Sequence, residues 1–187
     1  MHADNWANKA KSMGYRSRAV FKLDEILNKI GSKNKYQNVL DIGSSPGGWS
    51  QYIKKKYNKA KVYAIDILDM EPIDGVNFYQ ENIEDIDNII DIKTLKGTFN
   101  LVISDIAPNL SGISAVDNEN IFELNQLTIN IAKDYLISDG FLIMKTFQNN
   151  KLKDLRKEME LFFKIVQTYK PAASKKQSGE IYLFGVK

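Results

Sequence analysis

Short apolar runs alternate with longer amphipathic stretches along the 187 residues of the chain. The short runs are rich in β-branched and aromatic side chains, and they predict strands at 38–42, 61–67, 76–80, 99–106, 140–147, 163–169 and 181–186. Between them, apolar residues recur at helical spacing and predict helices at about 19–30, 48–57, 83–91, 119–137 and 151–160.

This order of elements predicts an α/β fold. Strands that alternate with helices form right-handed βαβ units, so the sheet should be mainly parallel. The segment 170–180, KPAASKKQSGE, is too short and irregular for a helical crossover, so the last two strands should pair antiparallel. No linker or repeat divides the sequence, which predicts one domain over 1–187, with a basic extension and first helix in 1–35.

The composition narrows the chemistry. The sequence contains neither a long apolar span nor a secretory leader, so we expect a soluble intracellular protein, cytoplasmic or, in a eukaryote, organellar, for example mitochondrial. There is no cysteine, which excludes disulfides, thiolate metal sites and cysteine nucleophiles. The only histidine is His2, near the terminus. Acid–base chemistry must therefore use Lys, Asp, Glu or Tyr.

Charge is divided unevenly along the chain. Residues 1–35 contain 8 Lys and Arg against 3 Asp and Glu, residues 36–144 contain 8 against 16, and residues 145–187 contain 10 against 4. Both ends are therefore basic and the middle is acidic. If the fold brings the ends together, they form a surface suited to a polyanion such as nucleic acid. The alternative is that the lysine-rich ends are simply solvated.

The glycine turn DIGSSPGGWS, at 41–50, predicts a cofactor site. It resembles a phosphate-binding loop, but Trp49 stands where such a loop carries its lysine, which disfavours a nucleoside triphosphate. The turn joins the first strand to its helix, where the glycines allow close backbone approach and the helix offers free N–H groups. Asp66 ends the second strand and can accept the ribose hydroxyls of an adenosine, as in NAD or S-adenosylmethionine.

The ends of the fourth and fifth strands help to distinguish NAD from S-adenosylmethionine as the cofactor. Asp105 in SDIAPN lies at the carboxyl end of the fourth strand and Lys145 in IMKTF lies near that of the fifth, so both should open into one cleft. A hydride-transfer site would have a histidine or a Tyr-x-x-x-Lys pair, and neither occurs at a suitable position. Amino-group methyltransferases often have a motif of the Asp-Pro-Pro-Tyr type after the fourth strand, and this sequence has Asp-Ile-Ala-Pro there. Both of these activities are disfavoured.

Six stretches together resemble a known family, the FtsJ/RrmJ-type 2′-O-ribose methyltransferases, which act on RNA with S-adenosylmethionine. They are GYRSRAVFKLDEI (14–26), LDIGSSPGGWSQY (40–52), AIDILDMEPIDGVNF (64–78), SDIAPNLSG (104–112), MKTFQ (144–148) and KPAASKKQSGEIYLFG (170–185). The stretch SDIAPNLSG is most similar to that of the enzymes that act on large-subunit ribosomal RNA. The resemblance implies a Rossmann-like methyltransferase fold, with a seven-stranded, mostly parallel sheet, an antiparallel last strand pair and helices on both faces.

The resemblance also implies the site residues. The catalytic tetrad of the family falls on Lys22, Asp105, Lys145 and Glu180, and the cofactor contacts fall on Gly43, Pro46, Gly47, Trp49, Asp66, Ile67, Asn82 and Asp105. Asn82 departs from the family, which commonly has Asp there, so its contact with adenine should lose charge assistance. RNA is expected at the basic residues that flank the tetrad, Arg16, Arg18, Lys175 and Lys176. Neither a metal nor a membrane is expected, and the chain should be a monomer.

The predicted reaction is methyl transfer to a ribose 2′-hydroxyl, on a uridine of large-subunit ribosomal RNA. Transfer RNA, the mRNA cap and a catalytically idle RNA-binding module stay as alternatives. Lys145 in its neutral form is the candidate base, whereas in a second assignment it stays charged and the proton leaves through Asp105 or water.

Overall fold

The structure is a computed structural model that describes residues 2–31, 36–175 and 177–187. Its strands are β1 (Asn38–Ile42), β2 (Lys61–Asp66), β3 (Val76–Gln80), β4 (Phe99–Ser104), β5 (Leu136–Phe147), β6 (Ile165–Tyr169) and β7 (Glu180–Val186). Its α-helices are α1 (His2–Ser12), α2 (Val20–Lys29), α3 (Gly48–Lys56), α4 (Ile90–Lys93), α5 (Ser114–Tyr135) and α6 (Leu152–Glu160). A 3-10 turn at Ile83–Asn88 precedes α4.

All seven strands belong to one sheet, in the order β3-β2-β1-β4-β5-β7-β6. Strand β7 runs antiparallel to both of its neighbours, β5 and β6, and the other pairs are parallel. The predictions of a seven-stranded, mostly parallel sheet and of an antiparallel last pair are confirmed. This order brings the carboxyl ends of β1, β2, β4 and β5 to one edge of the sheet, where ligands bind in open α/β folds.

Helices cover both faces of the sheet, as predicted. Helices α2 and α3 pack on one face, through a cluster that contains Leu23, Leu27 and Ile53. Helices α5 and α6 pack on the other face, through a cluster that contains Ile129 and Leu155. Among the described residues, none of the helices is both long and apolar enough to cross a membrane.

The structure differs from the predicted elements where the apolar pattern is weak. Helix α1 was not predicted, because it has few apolar residues. Its contacts with the rest of the fold include the buried Ala10 and the ring of Trp6, which lies 4.9 Å from that of Phe21. Helix α5 begins at Ser114, five residues before the predicted start at 119. Its first residues are mostly polar, so the apolar pattern did not reveal them. The helix predicted at 83–91 is instead the 3-10 turn followed by the short α4.

Candidate active site

The fold brings the four predicted tetrad residues together from four elements. Asp105 follows β4, Lys145 lies near the end of β5, Glu180 begins β7, and Lys22 lies on α2. Because β5 and β7 are antiparallel, the start of β7 lies beside the end of β5, with Glu180 opposite Phe147. Residues far apart in sequence therefore share the carboxyl-end edge of the sheet.

Two ion pairs form this cluster. The Nζ atom of Lys145 lies 3.2 Å from Oδ1 of Asp105 and also donates to the main-chain oxygen of Asp105. The Nζ atom of Lys22 lies 2.6 Å from Oε1 of Glu180, and the two side chains are only 9% and 16% exposed. An ion pair this deeply buried is costly to break, since either charge left alone would be poorly solvated.

Tyr182 joins the two ion pairs. Its hydroxyl donates to Oδ1 of Asp105 at 2.8 Å and lies 3.5 Å from Oε1 of Glu180, while Lys22 Nζ lies 5.8 Å from its ring centroid. Burial, together with the nearby carboxylates, raises the pKa of this phenol far above its usual value, so it stays a donor. Sequence reasoning missed Tyr182. The signal was its position two residues after Glu180, because alternate residues of a strand share a face.

The electrostatics keep Glu180 ionised. Burial alone would raise the pKa of its carboxyl, but the hydrogen bond and the charge of Lys22 outweigh burial and hold that pKa below its usual range. The Ser174 hydroxyl, which donates to Oε1 at 3.0 Å, and the charge of Lys145 act in the same direction.

The buried side-chain amide of Asn125 binds the main chain of Lys145. Asn125 on α5 donates from Nδ2 to the main-chain oxygen of Lys145 at 3.0 Å. The pairing of β4 with β5 ends one residue earlier, at Ser104 and Met144, so the side chain binds the Lys145 carbonyl just past the ladder. The Oδ1 atom of Asn125 is buried and has no hydrogen-bond partner among the described residues.

A cavity of about 800 Å³ opens beside the tetrad. Its lining contains five of the eight predicted cofactor residues, namely Gly43, Asp66, Ile67, Asn82 and Asp105. Lys145 lines the same cavity, so a ligand bound there can reach the tetrad. A second space of about 20 Å³ shares Gly43 and Asp105 with the first and is also lined by Pro46 and Trp49.

The smaller space has unpaired polar atoms. Oδ1 of Asp41 and the hydroxyl of Ser44 are buried without a hydrogen-bond partner among the described residues, and both residues line this space. Burial raises the pKa of Asp41 to about 7, and the charges of Asp105 and Asp66 act in the same direction against the hydrogen bond from Ser50. Both oxygens are acceptors, so a donor or a positive group brought near this space would be favoured there.

The larger cavity suits an adenosine. Asp66 accepts from the main-chain N–H groups of Ser45 at 2.8 Å and Leu68 at 2.9 Å, which fixes its carboxylate and leaves further lone pairs for ribose hydroxyls. Ile67 and Leu68 are 64% and 62% exposed and offer apolar surface to a base. Asn82 lines the cavity, but its Oδ1 also accepts from the N–H of Glu84 at 3.1 Å, which caps the 3-10 turn.

Two predicted cofactor contacts in the glycine turn, Gly47 and Trp49, do not line the larger cavity. Trp49 is buried in the first turn of α3, and its indole donates to the carbonyl of Ala19 at 2.8 Å, where α2 begins. It therefore helps to position the helix that carries Lys22. Gly47 precedes α3 with a φ of 99° and lines neither cavity, so its cofactor contact stays a prediction.

A comparison with protein-family models decides the family. Residues 15–187 match the model described as FtsJ-like methyltransferase. The chain belongs to this family. The FtsJ-like chain is thus a methyltransferase, as predicted, and a nicotinamide-dependent oxidoreductase is no longer a candidate. Among the residues that the structure describes, there is no group of three His, Cys, Asp or Glu side chains suited to a metal ion.

Relatives of the FtsJ-like chain are similar over nearly its whole length. Proteins named ribosomal RNA large subunit methyltransferase E are 40% identical in Wigglesworthia glossinidia brevipalpis, covering 99% of this chain and 92% of that one, and 41% identical in Borreliella afzelii, covering 97% and 96%. A solved Plasmodium falciparum structure with the provisional name of ribosomal RNA methyltransferase has a TM-score of 0.79 at 31% identity, covering 92% and 98%.

A more distant structure shares the fold alone. The Burkholderia thailandensis 1,6-didemethyltoxoflavin-N1-methyltransferase, solved with S-adenosylhomocysteine, has a TM-score of 0.64 at 12% identity, covering 90% of this chain and 78% of that one.

The four predicted RNA contacts of the FtsJ-like chain differ in their surroundings. Arg18 is half-buried and Lys175 is exposed, and neither side chain has a hydrogen bond or ion pair within 2–31, 36–175 and 177–187. Lys176 lies outside the described residues. Arg16 donates to main-chain carbonyls of two neighbouring loops.

Proposed function

We propose that this protein transfers the methyl group of S-adenosylmethionine to a ribose 2′-hydroxyl of RNA, on a uridine of large-subunit ribosomal RNA. The observation that carries the proposal is the connected network of Lys22, Glu180, Tyr182, Asp105 and Lys145, which borders a cavity suited to an adenosine cofactor. The names of the relatives support large-subunit ribosomal RNA as the substrate.

The residues present fit S-adenosylmethionine. Asp66 would accept from the ribose hydroxyls, Ile67 would pack on the adenine, and Asp41 with Ser44 would face the positively charged end. When bound, this cofactor supplies a methyl carbon activated by positive sulfur, so the protein must align the acceptor oxygen and remove one proton.

Lys145 receives that proton in the proposed mechanism. As the acceptor oxygen takes the methyl group that the cofactor would supply, the proton of the 2′-hydroxyl would pass to Nζ of Lys145. In its neutral form Lys145 has two hydrogens and a lone pair. Nζ donates to the main-chain oxygen of Asp105 and lies 3.2 Å from its Oδ1, and the lone pair is left for the hydroxyl. Lys22 and Glu180 hold Tyr182 and Asp105 in place, and Asp105 in turn orients Lys145.

The second assignment keeps Lys145 charged, so that it stabilises the developing alkoxide while the proton leaves through Asp105 or water. The pH dependence of kcat separates the two. If neutral Lys145 is the base, kcat rises with pH to a plateau. If the ammonium form is required, kcat falls again at alkaline pH.

RNA would be held by the phosphate contacts of Arg18, Lys175 and Lys176, which stand close to Lys22 or Glu180 in the sequence. Such contacts are mainly electrostatic, so RNA binding should weaken steeply with salt. We further propose that the protein acts as a monomer, in the cytoplasm or, if the organism is eukaryotic, in an organelle such as the mitochondrion.

The test is transfer of a radiolabelled methyl group from S-adenosylmethionine to large ribosomal subunits, bulk transfer RNA and capped mRNA. Label in the ribosomal RNA, found at a 2′-O-methyluridine after digestion, is the expected result. Label only in transfer RNA or in the cap would keep the chemistry and overturn the substrate. Label in none of them, with S-adenosylhomocysteine still bound, would favour an idle RNA-binding module.

A further inference from the structure

Arg16 and Arg18 lie two residues apart, and the sequence predicts RNA contact for both, but the structure gives them different surroundings. The guanidinium of Arg16 donates to the main-chain oxygens of Pro46 at 3.3 Å, Glu71 at 2.5 Å and Pro72 at 2.8 Å. The Arg18 side chain makes no hydrogen bond or ion pair with any residue that the structure describes. The two arginines are therefore suited to different tasks.

The three carbonyls belong to the loops that border the cofactor cavity. The first lies in the glycine turn after β1, and the other two lie in the loop between β2 and β3. The two loops also meet where the hydroxyl of Ser45 donates to the main-chain oxygen of Asp69 at 3.1 Å. A Cβ atom added to Gly47 would lie 3.3 Å from Nη1 of Arg16, so the guanidinium packs directly on the glycine turn.

Helix α3 directs Arg16 towards these loops. Oε1 of Gln51 accepts from the main-chain N–H of Arg16 at 3.1 Å, and Nε2 of Gln51 donates to the carbonyl of Gly14 at 2.9 Å. One side chain thus fixes the backbone on both sides of Tyr15. The planar guanidinium, with donors at fixed angles, can then bridge two loops in a way that a lysine ammonium cannot.

We propose that Arg16 is a positioning residue for the cofactor and not an RNA contact. It holds the loops after β1 and β2 at the separation that S-adenosylmethionine requires, and Arg18 is the arginine that contacts RNA. This inference rests on the proposed function. It predicts that changes at the two positions affect two different ligands.

The experiment compares Arg16→Lys with Arg18→Ala. Binding of S-adenosylhomocysteine is measured by titration calorimetry without RNA, and binding of a ribosomal RNA fragment is measured by filter retention without cofactor. Arg16→Lys keeps the charge but loses the bridging geometry, so we expect S-adenosylhomocysteine to bind about tenfold more weakly or worse, with RNA affinity nearly unchanged. Arg18→Ala should weaken RNA binding and leave S-adenosylhomocysteine affinity unchanged.

Steady-state kinetics provide a second readout. Arg16→Lys should raise KM for S-adenosylmethionine while KM for RNA stays close to that of the wild type, a split that general destabilisation would not produce. Normal S-adenosylhomocysteine affinity together with weakened RNA binding in Arg16→Lys would overturn the inference. Failure of the wild type itself to bind S-adenosylhomocysteine would overturn the proposed function instead.

A second variant covers the case in which Arg16→Lys does not fold. Gln51→Ala keeps the guanidinium but removes the contacts that aim it, so it should weaken S-adenosylhomocysteine binding by a smaller factor without affecting RNA binding. A folded Gln51→Ala protein with wild-type affinity for S-adenosylhomocysteine would contradict the role assigned to Arg16.

Discussion

The two halves of the candidate site are built in different ways. In the tetrad half, Lys22, Asp105, Lys145 and Glu180 come from separate elements, and each charged group is paired within the protein. In the cofactor half, loops surround an open cavity, and the small space next to it is lined by Asp41, whose buried Oδ1 has no partner among the described residues. The catalytic groups are thus arranged in advance, whereas the cofactor half offers shape and unpaired acceptors to its ligand.

The strongest test of this difference is Lys145→Ala. If the tetrad acts in the chemical step and the loops bind cofactor independently, kcat should fall by about a thousandfold, since positioned proton-transfer groups contribute effects of this size. The Kd of S-adenosylhomocysteine should stay within about twofold of the wild-type value. Rapid-quench measurement of labelled methyl transfer and calorimetry check the two parts.

The control for that variant is Lys164→Ala, which removes an exposed lysine paired with Asp139 on the surface. It should leave both quantities unchanged. If Lys145→Ala kept most of its activity, Lys145 would have no role in the chemical step, and the division between the two halves would fail.

The cofactor half can be tested through the shape of its backbone. Gly43 has a φ of 73°, and an added Cβ would lie 2.6 Å from Cβ of Ile106. Gly43→Ala should therefore weaken S-adenosylhomocysteine binding and lower the free energy of unfolding by about 3 kcal/mol, through backbone strain and collision. Binding is measured by calorimetry and unfolding by urea titration.

Gly97→Ala is a matched control for Gly43→Ala. Gly97 has a similar φ of 71°, but nothing lies within 4 Å of its added Cβ. Its substitution should cost only the strain of a left-handed residue, about 1 kcal/mol, and leave cofactor affinity unaltered. Equal effects of the two substitutions on cofactor binding would mean that the close approach at Gly43 does not shape the cavity.

The two halves also differ in how well the sequence predicts them. The strands were predicted within a few residues, because each is a compact apolar run, and the tetrad was predicted from the resemblance to the family, whose motifs contain all four residues. Tyr182 and Asn125 were missed, since their roles depend on which atoms the folded sheet brings near them. The bridging contacts of Arg16 could not be predicted either, because they end on main-chain carbonyls, which have no sequence signature.

The buried ion pair between Lys22 and Glu180 contributes to the free energy of unfolding in a way that depends on pH, and the expected effect is smaller than that at Gly43. Glu180→Gln leaves the Lys22 ammonium largely buried without a carboxylate, and we expect it to lower the free energy of unfolding at neutral pH by about 2 kcal/mol. The pKa of Glu180 is lowered in the folded protein from its usual value of 4.5. The wild-type advantage should therefore persist above about pH 4.5 and disappear as the pH falls through the lower, folded-state value.

Urea titrations across this pH range check the prediction, with Glu160→Gln as the surface comparison. Glu160 is 54% exposed and lies 3.8 Å from Arg156, a distance and exposure that favour an effect below about 1 kcal/mol. An advantage of the wild type over Glu180→Gln that grew on acidification would show that Glu180 is not held in its ionised form by Lys22.

The smallest expected effect separates stability from catalysis within the tetrad half. Asn125→Leu keeps the side-chain volume and removes the unpaired Oδ1, which offsets the lost hydrogen bond, so the free energy of unfolding should change by less than about 1 kcal/mol. The Lys145 carbonyl loses its donor, however, and we expect kcat to fall about fivefold while KM for both substrates is retained.

Thr128→Val tests whether that fall is specific to Asn125. Thr128 is buried one turn further along α5, and its hydroxyl donates within the helix, to the carbonyl of Leu124 at 3.0 Å. Its substitution should leave kcat at the wild-type value. If the two variants lowered kcat equally, the effect would come from the packing of α5 as a whole. If only Asn125→Leu lowered it, the preorganised half of the site would extend to the residue behind Lys145.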